Sequence, residues 1–525
     1  MNSNDQNETV PQPPDPRSID DFLTEAYAKR REAVPWRYWL AMTVLGLVNA
    51  SDSAEVMCLS FVLADGNFDS TILRNTAWRA SLLASAVFFG MLLGGLCSGN
   101  LSDIYGRKAV LSGGLCIEGV AGVLSAFSTN VYQISFLRAV AGIGLGASIP
   151  PLFALVSESA PRNKRGFFVT YIATFWMIGS TYVALAAFLV FQQWQISWRF
   201  FAVLCAVPAT LAAVLVPIVV DESPRYLILQ NRLEEALHAA NNLARKMGSG
   251  YPTVPDLTDT EVLFHYPKLE RSRSEETERT HQNGLGLFWK ASIEFAAKTV
   301  DLYRADTWRT TVLLQITWAT LSFCSYGIAT WIYTLFKVVH LQNRYLNALI
   351  FNLANFPFDL ITIGLMDRLK RQTMMFWSAS LSVSGLLAFA YFASTPNASG
   401  NASTLGVVLS ACLYHGSVTA VWNTIDTLTP EHFPTKVRST GIGVASASSR
   451  IAAMAAQFVN ARLVNRPTVL LLTAGGSLMI AGVTPLLLPN KDMTLQSLKD
   501  GDIHDERESV NDEKAPTETT GLLNA

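Results

Sequence analysis

About twelve stretches of this 525-residue chain stay apolar for roughly 20 residues or more, and no other feature narrows the possible folds so far. A backbone crossing about 30 Å of hydrocarbon meets no water, so its N–H and C=O groups must bond to one another, which a helix achieves within one segment. The runs cover residues 36 to 64, 79 to 100, 109 to 128, 131 to 157, 167 to 190 and 198 to 220, then 309 to 336, 346 to 366, 373 to 393, 405 to 428, 439 to 460 and 468 to 489. A long polar segment separates the first six from the last six. The expectation is an all-α membrane protein with twelve transmembrane helices in two six-helix halves.

Charge supports this reading. Asp, Glu, Lys and Arg make up 15% of the chain, against roughly 25% in soluble domains. They are also gathered: 11 fall in residues 1 to 34, 25 in 221 to 307 and 13 in 490 to 525, leaving 32 of 81 for the other 368 positions. That body, only about 9% charged, is too apolar to cover the surface of a soluble protein. A mean hydropathy of +0.26 averages it with three polar segments. The net charge of -1 gives a nucleic-acid partner no support. Cys58, Cys97, Cys116, Cys205, Cys324 and Cys412 sit in apolar runs without a C-x-x-C pair or a His cluster, so buried thiols are expected, with no metal or other cofactor. The polar, Pro-bearing N-terminus lacks an apolar h-region, and no cleavable secretory signal is expected.

Basic residues in the short loops orient the chain. Arg107 with Lys108, Arg162 with Lys164 and Arg165, Arg368 with Lys370 and Arg371, and Lys436 with Arg438 cluster on one side, while Arg74, Arg199, Arg344 and Arg466 are scattered on the other. The clustered side reads as cytoplasmic. The predicted organisation is a cytoplasmic tail over 1–35, a six-helix half over 36–220, a cytoplasmic central segment over 221–308, a second half over 309–489 and an acidic cytoplasmic tail over 490–525. In the central segment, 232 to 246 reads as an amphipathic helix and 271 to 279 as flexible. The sequons at Asn397 and Asn401 then fall in an outer loop open to glycosylation, whereas those at Asn7 and Asn49 fall where it cannot act.

The halves repeat each other. Glu158-x-x-Pro161-x-x-x-Arg165 follows the fourth run and Glu431-x-x-Pro434-x-x-x-Arg438 the tenth, an offset of 273 residues, close to the 264 between Asp103 and Asp367 after the second and eighth. Duplicated halves with a site at mid-membrane are a common transporter plan. After the second run comes Gly99-Asn100-Leu101-Ser102-Asp103-Ile104-Tyr105-Gly106-Arg107-Lys108. Its glycines suit a tight turn between two helices, and Asp103 can pair with Arg107.

This decapeptide resembles the G-x-L-x-D-x-x-G-R-[KR] signature of the major facilitator superfamily, and the resemblance implies the major facilitator fold and a conformational latch at this loop. Gly99, Asp103, Gly106, Arg107, Lys108, Glu158 and Arg165 would form it in the first half, and Asp367, Glu431 and Arg438 in the second, where Lys370 replaces the usual Gly. Arg138-x-x-x-Gly142-x-Gly144-x-Gly146, Asp221-Glu222-Ser223-Pro224-Arg225 and Pro430-Glu431-His432-Phe433-Pro434 resemble the sugar and organic-ion porter group. Asp52-Ser53-Ala54-Glu55 is similar to the first span of the synaptic vesicle protein-related transporters. The likeness runs from about residue 36 to 489. Asn355-Phe356-Pro357 stands where relatives carry Glu-Phe-Pro, and Asp359, one turn on, is placed to substitute for the missing acid.

Charges inside the spans are the strongest functional signal, because each costs about 2.5 to 3.5 kcal/mol to insert at mid-membrane. Asp52, Glu55, Glu118, Arg138, Asp359 and Arg450 therefore need partners or a wet cavity. Asp52 and Glu55, three residues apart, share a helix face and are expected to titrate together, which suits proton coupling or capture of a cation; a static pair with Arg138 or Arg450 is the plainer alternative. Tyr171, Trp176, Trp318, Tyr326, Trp331, Trp422 and Asn423 are candidates for lining a substrate pocket. Gly142, Gly144 and Gly146 belong to a helix and let helices approach rather than cradle a nucleotide. The C-terminal tail carries four basic and nine acidic residues, and its Glu518-Thr519-Thr520-Gly521-Leu522-Leu523 resembles a dileucine signal read by clathrin adaptors, which implies an endosomal, lysosomal or vacuolar membrane, with the plasma membrane as alternative. The resulting expectation is a secondary active transporter of a small organic solute, with protons as coupling ion. The alternative is a membrane receptor or trafficking protein on the same fold. No catalytic triad, phosphate loop or metal cluster points to an enzyme.

Overall fold

The computed structural model describes residues 34–248 and 299–488, apart from 75, 231, 305–306, 340, 342, 367–368, 396–402 and 434–436, together with Leu23, Thr24, Tyr27, Ala28, Ile293, Ala296 and Ala297. Asp367, Asn397, Asn401, Glu518, Leu522, Leu523 and the segment 271 to 279 lie outside the described residues.

Eleven helices among the described residues are long and apolar enough to cross a bilayer. In the first half they are α1 (Trp36–Ala64), α2 (Ala77–Tyr105), α3 (Arg107–Ser125), α4 (Val131–Ser159), α5 (Arg165–Ala187, continued by a wider turn over Phe188–Gln193) and α6 (Trp198–Val219). Two short helices follow, α7 (Pro224–Leu229) and α8 (Leu233–Lys246). The second half opens with α9 (Trp308–Val338). Its next crossing is broken into α10 (Arg344–Leu353) and α11 (Asn355–Met366), and α12 (Arg371–Ser394), α13 (Thr404–His432), α14 (Arg438–Leu463) and α15 (Pro467–Val483) complete it. Pro357 accounts for the break at Ala354. Its nitrogen has no hydrogen to donate to the carbonyl of Leu353, and its ring crowds the preceding turn, so the single helix expected over 346 to 366 divides. With the broken pair counted as one, there are twelve crossings in two sets of six.

Polar residues set the ends. Asn130 caps α4 by accepting from the backbone N–H of Gln133 at 2.9 Å, and Ser223 caps α7 by accepting from Tyr226 at 3.2 Å, with Pro224 in the first turn. The signature decapeptide differs from a simple loop. Residues Gly99 to Tyr105 are the last turns of α2, and only Gly106 lies in the turn itself, with φ of 102°. A helix whose backbone is already satisfied continues past the hydrocarbon until a residue with left-handed freedom turns it.

Glycines set the packing inside the first half. On α4, Gly142 and Gly146 face α2, where a Cβ would strike the carbonyls of Val87 and Met91, while Gly144 faces α3, where it would strike that of Gly114. The x-Gly-x-Gly-x-Gly spacing thus seats α4 between two neighbours at close range.

The halves meet through aromatic rings. Phe61 of α1 stacks on Tyr333 of α9 at 3.8 Å, Phe191 on Tyr345 of α10 at 5.6 Å, and Trp78 of α2 lies 5.9 Å from Phe458 of α14. All six residues are near the helix ends remote from the basic loops, so the molecule is closed on that face. Outside the membrane spans, α8 docks on the first half through Lys246, whose Nζ donates to Asp221 at 2.6 Å and to the carbonyl of Val219 at 2.7 Å.

Adding a side chain where two backbones touch must force them apart. Gly142→Val is expected to lower the detergent melting temperature by an amount corresponding to about 1–3 kcal/mol of overpacking. Gly113→Val, at a position with nothing within 4 Å of the new Cβ, is expected to leave melting unchanged. Equal melting of the two variants would refute the close approach of α4 to α2.

Candidate functional site

The centre of the first half holds a nearly closed ionic group. Arg138 of α4 is 1% exposed and its Nη1 lies 2.7 Å from Oε2 of Glu55, itself 3% exposed. Its Nη2 also donates to Sγ of Cys58 at 3.4 Å, one helical turn beyond Glu55. Glu118 of α3, 2% exposed, interacts electrostatically with both Glu55 and Asp52. Three carboxyls, Asp52, Glu55 and Glu118, thus lie in one electrostatic group with the guanidiniums of Arg138 and, across the interface, Arg450. Like charges repel strongly in a low dielectric, so this group holds one carboxyl more than it has guanidiniums to pair with.

Asp52 and Glu55 share a helix face, as their spacing requires, but they look to different partners. Glu55 is held within its own half. Asp52, with Oδ1 buried and unpartnered, interacts across the interface with Arg450 of α14, whose Nη1 is likewise unpartnered. Arg450 lies over the ring of Tyr326, 5.2 Å from its centre. Tyr326 in turn packs edge-on to Phe88 at 5.2 Å and to Trp422 at 5.7 Å, and Trp422 meets Trp318 at 5.6 Å. A chain of four aromatic side chains thus runs from Phe88 to Trp318 past Arg450.

The second half has polar groups of its own between α11 and α13. Asn423 of α13 donates to Oδ1 of Asp359 at 2.6 Å, and Thr419 donates to Oδ1 of Asn355 at 3.1 Å. Asn355 and Asp359 do share one face of α11, and that face is turned to α13. His415, 2.8 Å from the Asn355 amide and stacked on Phe351 at 4.0 Å, extends the same ladder. Asp426, one turn beyond Trp422, is exposed although it lies inside the α13 span, and it interacts with Tyr326.

Other expected pocket residues lie elsewhere. The Trp331 indole donates to Oε1 of Gln457 at 3.0 Å, which ties α9 to α14. Tyr171 sits among Trp39, Phe175 and Thr43 near the basic end of α5. Trp176 is half-buried against the core. Asp426 and His415 were overlooked although both stand inside the apolar run 405 to 428, where a polar residue is itself the signal.

At the basic end, Arg107 pairs with Asp103 at 2.9 Å and approaches Glu158 at 3.6 Å, so the sequence motif does bring these three together. Glu222 caps α3, accepting from the backbone N–H groups of Arg107 and Lys108 at 3.1 Å. Its carboxylate also fills the space beside Gly106, where a Cβ would collide with Oε2. Tyr226 completes the joint by donating to the carbonyl of Ile104 at 2.9 Å; burial and the neighbouring Glu222 raise its hydroxyl above the ordinary tyrosine range. The second half repeats the pair. Arg371 lies 3.6 Å from Glu431, which are Arg107 and Glu158 displaced by the repeat offsets of 264 and 273 residues.

The model of the sugar (and other) transporter family matches residues 40–489, nearly the whole helical body just described. The chain belongs to that family. It is 29% identical over 478 residues to the organic cation/carnitine transporter 7 of Arabidopsis thaliana, covering 86% of this chain and 91% of the relative. The synaptic vesicle 2-related protein of Bos taurus is 27% identical over 475 residues, with 86% and 78% covered. Among solved structures, the inward-open xylose transporter XylE of E. coli superposes with a TM-score of 0.64 at 17% identity, covering 88% of this chain and 98% of that one. This is the major facilitator fold, and the protein is a multi-pass membrane protein of a transporter family.

Removing one partner of a buried pair leaves the other charge stranded. Arg138→Met is expected to destabilise the protein by about 3–5 kcal/mol in detergent melting, and adding Glu55→Gln should restore most of the loss. Asp52→Asn, which removes a charge whose Oδ1 has no hydrogen-bond partner, should leave melting unchanged or raise it. A fall like that of Arg138→Met would instead make Asp52 and Arg450 a structural pair.

Proposed function

We propose that this chain is a proton-coupled secondary transporter of a small organic cation that works by alternating access of the cavity between its halves. The observation that carries this is the grouping of three carboxyls, Asp52, Glu55 and Glu118, with two guanidiniums, Arg138 and Arg450, next to a chain of aromatic side chains. A cation is recognised by both, through charge and through the ring quadrupole. The Arabidopsis relative named an organic cation/carnitine transporter supports that substrate class, and the neighbour described as a proton:xylose symporter supports the coupling ion. Arg450, with Nη1 unpartnered, favours a second form of the reading, in which the cation also bears a carboxylate and spans Asp52 and Arg450.

Sidedness follows from the basic loops, so the tails and the central segment are cytoplasmic and the cavity opens to the cytoplasm. The acidic tail with Glu518, Leu522 and Leu523 is then placed to meet clathrin adaptors. In a eukaryotic host, Asn397 or Asn401 should carry glycan and Asn7 none; a glycan at Asn7 would invert the topology.

The functional test uses proteoliposomes and a panel of organic cations at two external pH values. Uptake should increase with an inward proton gradient. Asp52→Asn should preserve exchange of substrate across the membrane while abolishing its accumulation, because the proton step is removed and the conformational cycle is not. Loss of exchange as well would make Asp52 a direct substrate ligand. Uptake of no cation by folded wild-type protein would return the chain to a receptor or trafficking role.

A further inference from the structure

On the face remote from the basic loops, a cleft of about 590 Å³ opens between the halves. One wall is the far end of α5 and the turn after it, with Phe191, Gln192 and Gln195; the other is the end of α9 and the start of α10, with Lys337, Asn343 and Tyr345. The size falls within the range of small-molecule sites, roughly 300–1,000 Å³. The cleft is also separate from the acid group. Asp52 lies twelve residues from the corresponding end of α1, or about 18 Å of helix rise.

The lining has a definite chemistry. Lys337 is half-buried and, among the described residues, carries the cleft's one formal charge and has no ion-pair partner. Oε1 of Gln192 is buried without a hydrogen-bond donor. Phe191 and Tyr345, stacked on each other from the two walls at 5.6 Å with planes 19° apart, join them with apolar surface, to which Leu341 adds. An ammonium asks for an anion, an orphaned carbonyl oxygen for a donor, and the rings for an apolar body.

We propose that this cleft is a second ligand site, for a small carboxylate that also carries a hydrogen-bond donor and an apolar body, and that its occupant holds the halves closed on this face. The second part follows from where the walls come from. Phe191, Gln192 and Gln195 belong to one half and Lys337, Asn343 and Tyr345 to the other, so a ligand touching both walls is bound only while the halves are this close. Its binding energy is then differential between the two conformers, which is the condition for shifting their populations. The site acts on any transport cycle of this fold and does not depend on the cation reading.

Mandelate is a suitable probe, since it has the carboxylate, a hydroxyl and a ring. It is expected to raise the melting temperature of the full-length protein in a saturable manner, while mandelamide and phenylacetate, lacking the charge or the hydroxyl, give much weaker shifts. Lys337→Gln should weaken mandelate on the order of tenfold, and Lys337→Arg should retain it. Amide hydrogen exchange over the far ends of α1 and α9, where Phe61 and Tyr333 stack, should slow with mandelate in the wild type and not in Lys337→Gln. An undiminished mandelate response in Lys337→Gln, or equal shifts from mandelamide, overturns the site. Equal shifts from phenylacetate overturn the donor requirement and the part given to Gln192. Saturable binding with unchanged exchange overturns the closing of the halves.

Discussion

The pairing of Arg138 with Glu55 is the interaction on which the first half depends. A guanidinium 1% exposed in the middle of a membrane helix is tolerated only because a carboxylate is held 2.7 Å away, and that carboxylate is tolerated only because of the guanidinium. The glycines follow from this need. Gly142 and Gly146 let α4 close on α2 while Gly144 lets it close on α3, and this compact seating puts Arg138 within reach of α1 and brings Glu118 into the same group. The pair satisfies one carboxyl of three. What remains over, chiefly Asp52, has no static partner in its own half and looks across the interface.

That interface is unequal along its length. Stacked rings close it on one face, whereas the middle of the span holds the charged groups Asp52 and Arg450 on its two sides. Ring contacts suit a closure that must be broken and remade. They bury apolar area without hydrogen bonds that would have to be satisfied again when the halves separate. Charged contacts are kept at the basic ends instead, where Arg107 with Glu158 and Arg371 with Glu431 each brace one half internally. Each half is thus braced by ion pairs made within it.

Much of this was legible in the sequence because a bilayer leaves little choice. Run length gave the crossings, and the duplicated Glu-Pro-Arg spacing marked Glu158 and Glu431 as equivalent positions, which the fold sets beside Arg107 and Arg371. The acids and arginines at fault in apolar runs pointed to the central group. Other features depend on facts that spacing does not carry. Glu222 lies 115 residues from Arg107 and caps α3 only because the chain folds back there. Trp331 and Trp422 are both aromatic residues in spans, yet one donates to Gln457 and the other packs edge-on to Tyr326. Rotation about the helix axis decides between those fates, and a span apolar on all sides gives no periodicity to read it from. Asp426 shows the opposite failure, a legible signal lost among longer-range ones.

The two halves, alike in plan, have diverged in chemistry. The first concentrates charge, with Asp52, Glu55, Glu118 and Arg138 on three helices seated through glycine. The second spreads neutral donors and acceptors, Asn355, His415, Thr419 and Asn423, along a ladder between α11 and α13, with Asp359 at one end. Asn355 in place of an acid belongs to that difference, since its side chain meets the His415 imidazole and the Thr419 hydroxyl and, among the described residues, no Lys or Arg. The broken crossing at Ala354 adjoins this ladder, so the half with the weaker, exchangeable bonds is also the half with a helix joint. A cavity between such walls has one side that holds charge in fixed positions and one that can adjust to the shape of what it holds. Under the proposed reading, proton binding is then the task of the rigid wall and fitting the substrate the task of the jointed one.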